Sequence, residues 1–183
     1  MVLYMSEYPP GSVEDREMLA KMPIEKLLDF LFLQIRDLWR VDGLYFLGIE
    51  QKFGTEAATE IDAGVWQIMA RIEAKSLRKM FQVRENADIQ TIVSLLRRSS
   101  WALDQPFKTV EVSNKRAFLI TDRCRTQETR LKKGLDEFPC KKVRFAYLQN
   151  FAKTLNPDVE VYCLVCPPDK HLRNLWCKWE FRL

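Results

Sequence analysis

From Pro23 onward apolar residues return at helical spacing: Ile24, Leu27, Leu28, Leu31, Ile35, Leu38 and Trp39. Glu25, Lys26, Asp29, Arg36 and Asp37 fill the rest of the cylinder, and the width of the apolar stripe predicts a deeply buried helix. Pro23 suits its start, where a missing N–H costs nothing. A shorter helical piece from Val13 to Lys21 precedes it, behind an extended Tyr8-Pro9-Pro10-Gly11 leader. Val41-Asp42-Gly43 is expected to break or bend the helix, which resumes over 44–53 and stops at Gly54, a cap residue by type. Thr55 predicts the N-cap of a long helix reaching about Gln82, with Ala58, Ile61, Val65, Ile68, Met69, Ile72 and Leu77 inward. Asn86-Ala87-Asp88 opens another, with Ile89, Ile92, Val93 and Leu96 inward, ending near Trp101.

After Gln105-Pro106 the period moves toward two. Residues 107–112 and 117–121 predict a hairpin around Ser113-Asn114-Lys115. A short helix over 126–133 closes at Gly134, and Pro139-Cys140 opens a longer one to Leu155. Two further strands follow, from Val159 and from Trp176. In the last, Cys177, Trp179, Phe181 and Leu183 share one face, so Cys177 points inward. The expected fold class is α+β: a helical N-terminal half packed on a small four-stranded antiparallel sheet, the C-terminal half running ββααββ. A single domain over 1–183 is expected, with leader 1–22, helical half 23–104 and α+β half 105–183.

Composition changes this picture little: 47% apolar and 30% charged is ordinary for a globular chain. No apolar run is long enough to cross a bilayer, and the N-terminus lacks a basic start followed by an apolar run. Both point to the cytoplasm and away from membranes. Net charge is +4, unevenly placed: 11 basic and 15 acidic residues up to Asp88, then 18 basic and 10 acidic. The later excess suits an acidic small molecule or a solvated face; without a recognisable nucleic-acid module, nucleic acid is not an expected partner.

Chemistry concentrates near the end. Four of five cysteines, Cys140, Cys163, Cys166 and Cys177, fall within 38 residues. Cys163-Leu164-Val165-Cys166 has the spacing that lets one turn offer two sulfurs to one ion, and Pro167-Pro168 keeps that turn open. In a reducing compartment such a group points to metal before disulfides. The expected cofactor is a structural zinc, since four thiolates leave no open coordination position; an iron–sulfur cluster is the alternative. A redox CxxC pair is a third option, disfavoured by the diproline loop where a helix N-terminus would be needed. Cys124 is left over, between Arg123 and Arg125, whose charges would lower its pKa and make it a candidate nucleophile or ligand contact. The sole histidine, His171, reads as a loop residue.

Trp39, Asp42, Tyr45, Glu50, Asp62, Trp66 and Arg71 mix aromatic and polar groups on otherwise apolar helices. Such a mixture can line a small-molecule pocket between the helices and the sheet. Ordinary helix packing with ion pairs accounts for the same residues more plainly. The ligand-binding candidates are Cys124, Arg123, Trp39, Asp42, Tyr45 and Trp66, for a small apolar or acidic molecule. There is no Gly-rich phosphate loop, no Ser/His/Asp set and no HExxH motif.

The C-terminal half resembles the 4-vinyl reductase domain, whose metal-bearing members have a Cys, an acidic residue 23 positions on, a Cys three later and a final Cys-x-Phe. Cys140, Cys166 and Cys177 match the cysteines, and Cys163 stands where the acidic residue would be. The loop before Cys177 is about three residues longer and lacks the usual Gly-Asp. The whole chain is similar to an uncharacterised family of short cytosolic proteins from anaerobic bacteria and archaea. It shares Asp42 to Phe46, Phe138 to Lys141, Cys166 to Asp169 and Cys177 to Phe181 with that family. A looser likeness is to L-2-amino-thiazoline-4-carboxylic acid hydrolase-like proteins. These resemblances imply a small-molecule-binding sensor or carrier and a homodimer. A hydrolase with Cys124 near its substrate, or a non-catalytic subunit of a larger redox complex, are the other implied roles.

Overall fold

Ser12 opens the first helix with a reciprocal capping box, its hydroxyl accepting from the Asp15 N–H while the Asp15 carboxylate accepts from the Ser12 N–H. The computed structural model describes residues 11–183; Tyr8-Pro9-Pro10 of the leader lies outside them. The elements are α1 (Val13–Ala20), α2 (Ile24–Phe53), α3 (Thr55–Met80), α4 (Ile89–Leu96), α5 (Ser100–Asp104), β1 (Lys108–Val112), β2 (Arg116–Thr121), α6 (Arg125–Lys132), α7 (Cys140–Leu155), β3 (Glu160–Val165) and β4 (Cys177–Arg182). The strands form one antiparallel sheet in the order β1-β2-β4-β3. The fold is α+β, helical in its first half.

The core lies where α7 meets both the sheet and α3. Ala117, Leu119, Val161, Trp179 and Phe181 bury the inner sheet face, and Tyr147, Leu148, Phe151 and Leu155 of α7 bury against the same cluster. Cys177 and Trp179 point inward as the alternation predicts, whereas Leu183 is exposed. Glu180, on the outer face, is also buried, under Arg116 and Arg182.

Three helical expectations need correction. First, α2 runs unbroken through Val41-Asp42-Gly43. The Asp42 carboxylate accepts from Trp66 Nε1 at 3.0 Å, so it does not compete for backbone N–H groups. A lone helical glycine costs only about 1 kcal/mol. Second, α2 is not deeply buried: only Ile35 and Phe46 are, while Ile24, Leu28, Leu31 and Leu38 are exposed. Its packing face begins at Ile35, and the turns before it stand clear of the core. Third, the inner face of α3 is Ala58, Thr59, Asp62, Ala63, Trp66, Ala70 and Ala74, while Ile61, Val65 and Ile68 face out. Small alanines let α7 approach closely, and that gain outweighs burying the branched residues.

Local capping differs too. Thr55 lies inside α3, its hydroxyl donating to Glu50, and Gly54 occupies the junction at φ +86°, where glycine is the suitable residue. The helix expected to reach Trp101 ends at Leu96. Ser99 then caps the separate α5, accepting from the Ala102 N–H at 3.2 Å.

A ligand cavity beside a cysteine cluster

Cys140 and Cys177 open α7 and β4, Cys166 follows the end of β3, and Cys163 lies within β3. Cys140 is the first residue of α7, where the helix dipole favours a thiolate. The Lys141 N–H in the same turn donates to the Pro167 carbonyl at 2.8 Å, and Lys141 Nζ pairs with Asp169 at 2.8 Å. This clamps α7 to the diproline loop. Gln127, almost fully buried, grips Phe138 from both sides, donating to its carbonyl and accepting from its N–H at 2.8 Å each. The approach to Cys140 is thus fixed on two sides. In a regular strand Cys163 and Cys166 would face opposite ways. The β3–β4 register shifts between Cys163 and Val165, and one extra residue turns both toward the same side.

The fully buried Cys166 thiol lies in hydrogen-bonding reach of Cys140, Cys163 and Cys177, which holds its own proton firmly. The same contact with Cys166 lowers the pKa of Cys140, Cys163 and Cys177, the last to about 6. Thr121 Oγ1 and Trp179 Nε1 are buried with no hydrogen-bond partner. Both side chains face Cys177 and favour its thiolate. Arg144, one turn along α7, does the same for Cys140. The cluster is therefore built to stabilise negative sulfur. Among the described residues, no three His, Cys, Asp or Glu side chains form a ready-made cage for a metal ion; the sulfurs meet pairwise through Cys166. His171 lies elsewhere, its ring against Trp176 and its Nε2 3.3 Å from Glu137.

A cavity of about 320 Å³ opens against this cluster, lined by Cys140 and Cys177 among others. Trp39, Asp42, Trp66 and Cys124 line it too, so four of the six expected ligand contacts converge. Trp39 and Trp66 stack in parallel with centroids 4.5 Å apart, and the Trp39 Nε1 donates to the Ser100 carbonyl. Tyr45 faces solvent at 72% exposure. Arg123 pairs with Glu128 and lies over Phe107, away from the cavity.

Cys124 departs from expectation in its chemistry. Burial, with the Cys140 and Cys177 sulfurs nearby, pushes its pKa up to about 12, so it stays a thiol at neutral pH. Neither flanking arginine is free to lower it: Arg123 is committed to Glu128, and Arg125 binds Asp104 through two nitrogens. The nucleophile expectation loses its physical basis.

The cavity also holds Asp62, which shared the mixed aromatic and polar pattern, and Arg144 and Gln105, which the pattern did not single out. Asp62, buried beside Asp42, has a pKa raised to about 7, first by burial and then by the Asp42 charge. Burial also raises Asp42. Arg144 is buried with its guanidinium 4.0 Å from the Trp101 ring centre, and among the described residues no carboxylate lies within ion-pair distance. Gln105 Oε1 is a buried acceptor without a donor. The four-residue spacing from Cys140 was the one visible signal for Arg144.

No helix among the described residues is long and apolar enough to cross a membrane. No curated protein matches the chain. The model of DUF6125, a family of unknown function, matches residues 20–183, and the chain belongs to that family.

Proposed function

We propose that this chain is a small-molecule-binding domain of the sensor or carrier type, similar to the 4-vinyl reductase class, whose cavity rests on a structural zinc. The observation that carries the reading is the convergence of Trp39, Asp42, Trp66 and Cys124 on one cavity that Cys140 and Cys177 help to wall. Its size suits a compact organic ligand. The zinc ligands would be Cys140, Cys163, Cys166 and Cys177. Two buried donors beside Cys177 that have no hydrogen-bond partner, Thr121 Oγ1 and Trp179 Nε1, fit a metal thiolate better than a neutral thiol. Zinc would replace the Cys166 proton and draw the four sulfurs onto one centre, supplying cross-linking and no open catalytic position.

The test is metal analysis and native mass spectrometry on untagged protein purified anaerobically. One zinc per chain together with a retained organic ligand is the expected outcome. Iron with sulfide replaces zinc by a cluster; protein with neither metal nor ligand removes the reading.

A homodimer is part of the proposal. Residues 24–34 of α2 carry Ile24, Leu28, Phe30, Leu31, Phe32 and Leu33, all at least 38% exposed. Six large apolar side chains exposed together on one helix segment call for cover. These side chains alone leave roughly 500 Å² of apolar area, against the ~800 Å² that each partner buries in a typical stable interface. Light scattering should give twice 21.6 kDa for the native chain, and the doubly substituted Leu28→Glu, Leu31→Glu chain should be monomeric. A monomeric native chain refutes the pairing.

A further inference from the structure

We propose that the cavity takes a small organic amine, its ammonium lodged at Asp42 and Asp62 and its hydrocarbon body laid against the Trp39–Trp66 stack. The proposal rests on the cavity reading above and names the chemistry of its occupant. Trp66 Nε1 lies between the two carboxylates, bonding Asp42 Oδ1 at 3.0 Å and also reaching Asp62. One N–H cannot satisfy four carboxylate oxygens, so acceptor capacity remains.

The surrounding cations do not make up the deficit. Arg125 is spent on Asp104, Arg130 on Glu50 through a two-pronged pair at 2.9 Å, and Arg40 on Asp37. Only Arg144 is shared between Asp42 and Asp62, and it also serves the Cys140 sulfur. Two carboxylates share that one guanidinium, and Lys133 lines the same cavity without an ion pair among the described residues. Gln105 Oε1, buried without a donor, lines the same cavity and is a separate acceptor for a ligand N–H.

An acidic ligand would bring a further negative charge to carboxylates and cysteines that already crowd one another. An ammonium bonds the carboxylate oxygens that Trp66 leaves free and gains from the indole faces. The raised pKa of Asp62 expresses the same need, since a proton on its carboxyl fills the role of the ammonium.

The experiment uses phenethylamine and 3-phenylpropanoate, which share a ring and a two-carbon tether and carry opposite charge. Quenching of tryptophan fluorescence in the full chain reads their binding. Phenethylamine should bind at least ~10-fold more tightly, the worth of one charge-assisted hydrogen bond. Asp62→Asn should lower its affinity by a similar factor and leave that of the acid unchanged or improved. If that variant fails to fold, the native affinity ratio decides alone.

Equal or reversed affinities overturn the amine assignment and make Arg144 the anchor, leaving the cavity reading intact. Failure of both probes to bind a chain that retains an organic molecule in its native mass spectrum also removes the amine alone.

Discussion

Cys166→Ser should lose the proposed zinc and at least about 5 kcal/mol of folding stability, a fall of roughly 10–20 °C in Tm for a chain of this size. The magnitude separates two accounts of the same residue. Cys166 is fully buried, so a hydroxyl placed there costs about 1–3 kcal/mol even if no metal is involved. A structural zinc contributes about 10–16 kcal/mol in small domains, comparable with the whole net stability of a typical fold. Cys166 is also the sulfur that touches the other three, so it is the ligand whose loss should open the site most completely. A chelator should reproduce the fall in the native chain and do nothing to the variant. A fall below about 3 kcal/mol with no response to chelator would make the cysteines packing residues.

Asp62→Asn should stabilise the protein at alkaline pH by an amount on the order of 4 kcal/mol. The carboxyl has an ordinary pKa of 3.8 and a folded value of about 7. The folded chain therefore holds its proton more tightly than the unfolded chain does. Stability from this group is complete below about pH 4, falls as pH rises through 7, and stays level above it. The cost of ionising it in place follows from about three pH units at 1.36 kcal/mol each. Asparagine cannot ionise, so its advantage should be less than half developed at pH 5 and full at pH 8. Urea denaturation of both chains at the two pH values measures it, and taking the difference cancels any pH dependence of the metal site. An equal gap at both values would mean that Asp62 titrates normally.

The sheet was legible because its signals are local. Strand alternation put Cys177 and Trp179 inside, and Pro139 and Gly134 marked where α7 begins and α6 ends. The helices were less legible, because periodicity reports which residues share a face and not which face is covered. On α3 the branched stripe of Ile61, Val65 and Ile68 outscored the alanine face, yet the alanines admit α7. The cavity was partly legible: Trp39, Asp42 and Trp66 stood out as polar or aromatic groups on apolar helices. Asp62 shared that signal, but its raised pKa depends on Asp42, one helix away. For Cys124 the neighbouring arginines misled, since nothing in the sequence shows that Glu128 and Asp104 claim them.

The absence of a break at Gly43 has a mechanical meaning. Thirty residues in one continuous helix make a rod about 45 Å long. Its first third reaches outward, and farther along it carries Trp39 and Asp42. A rod without a joint passes displacement from end to end, so whatever grips Leu28 and Leu31 also sets the position of the indole and carboxylate that face the cavity.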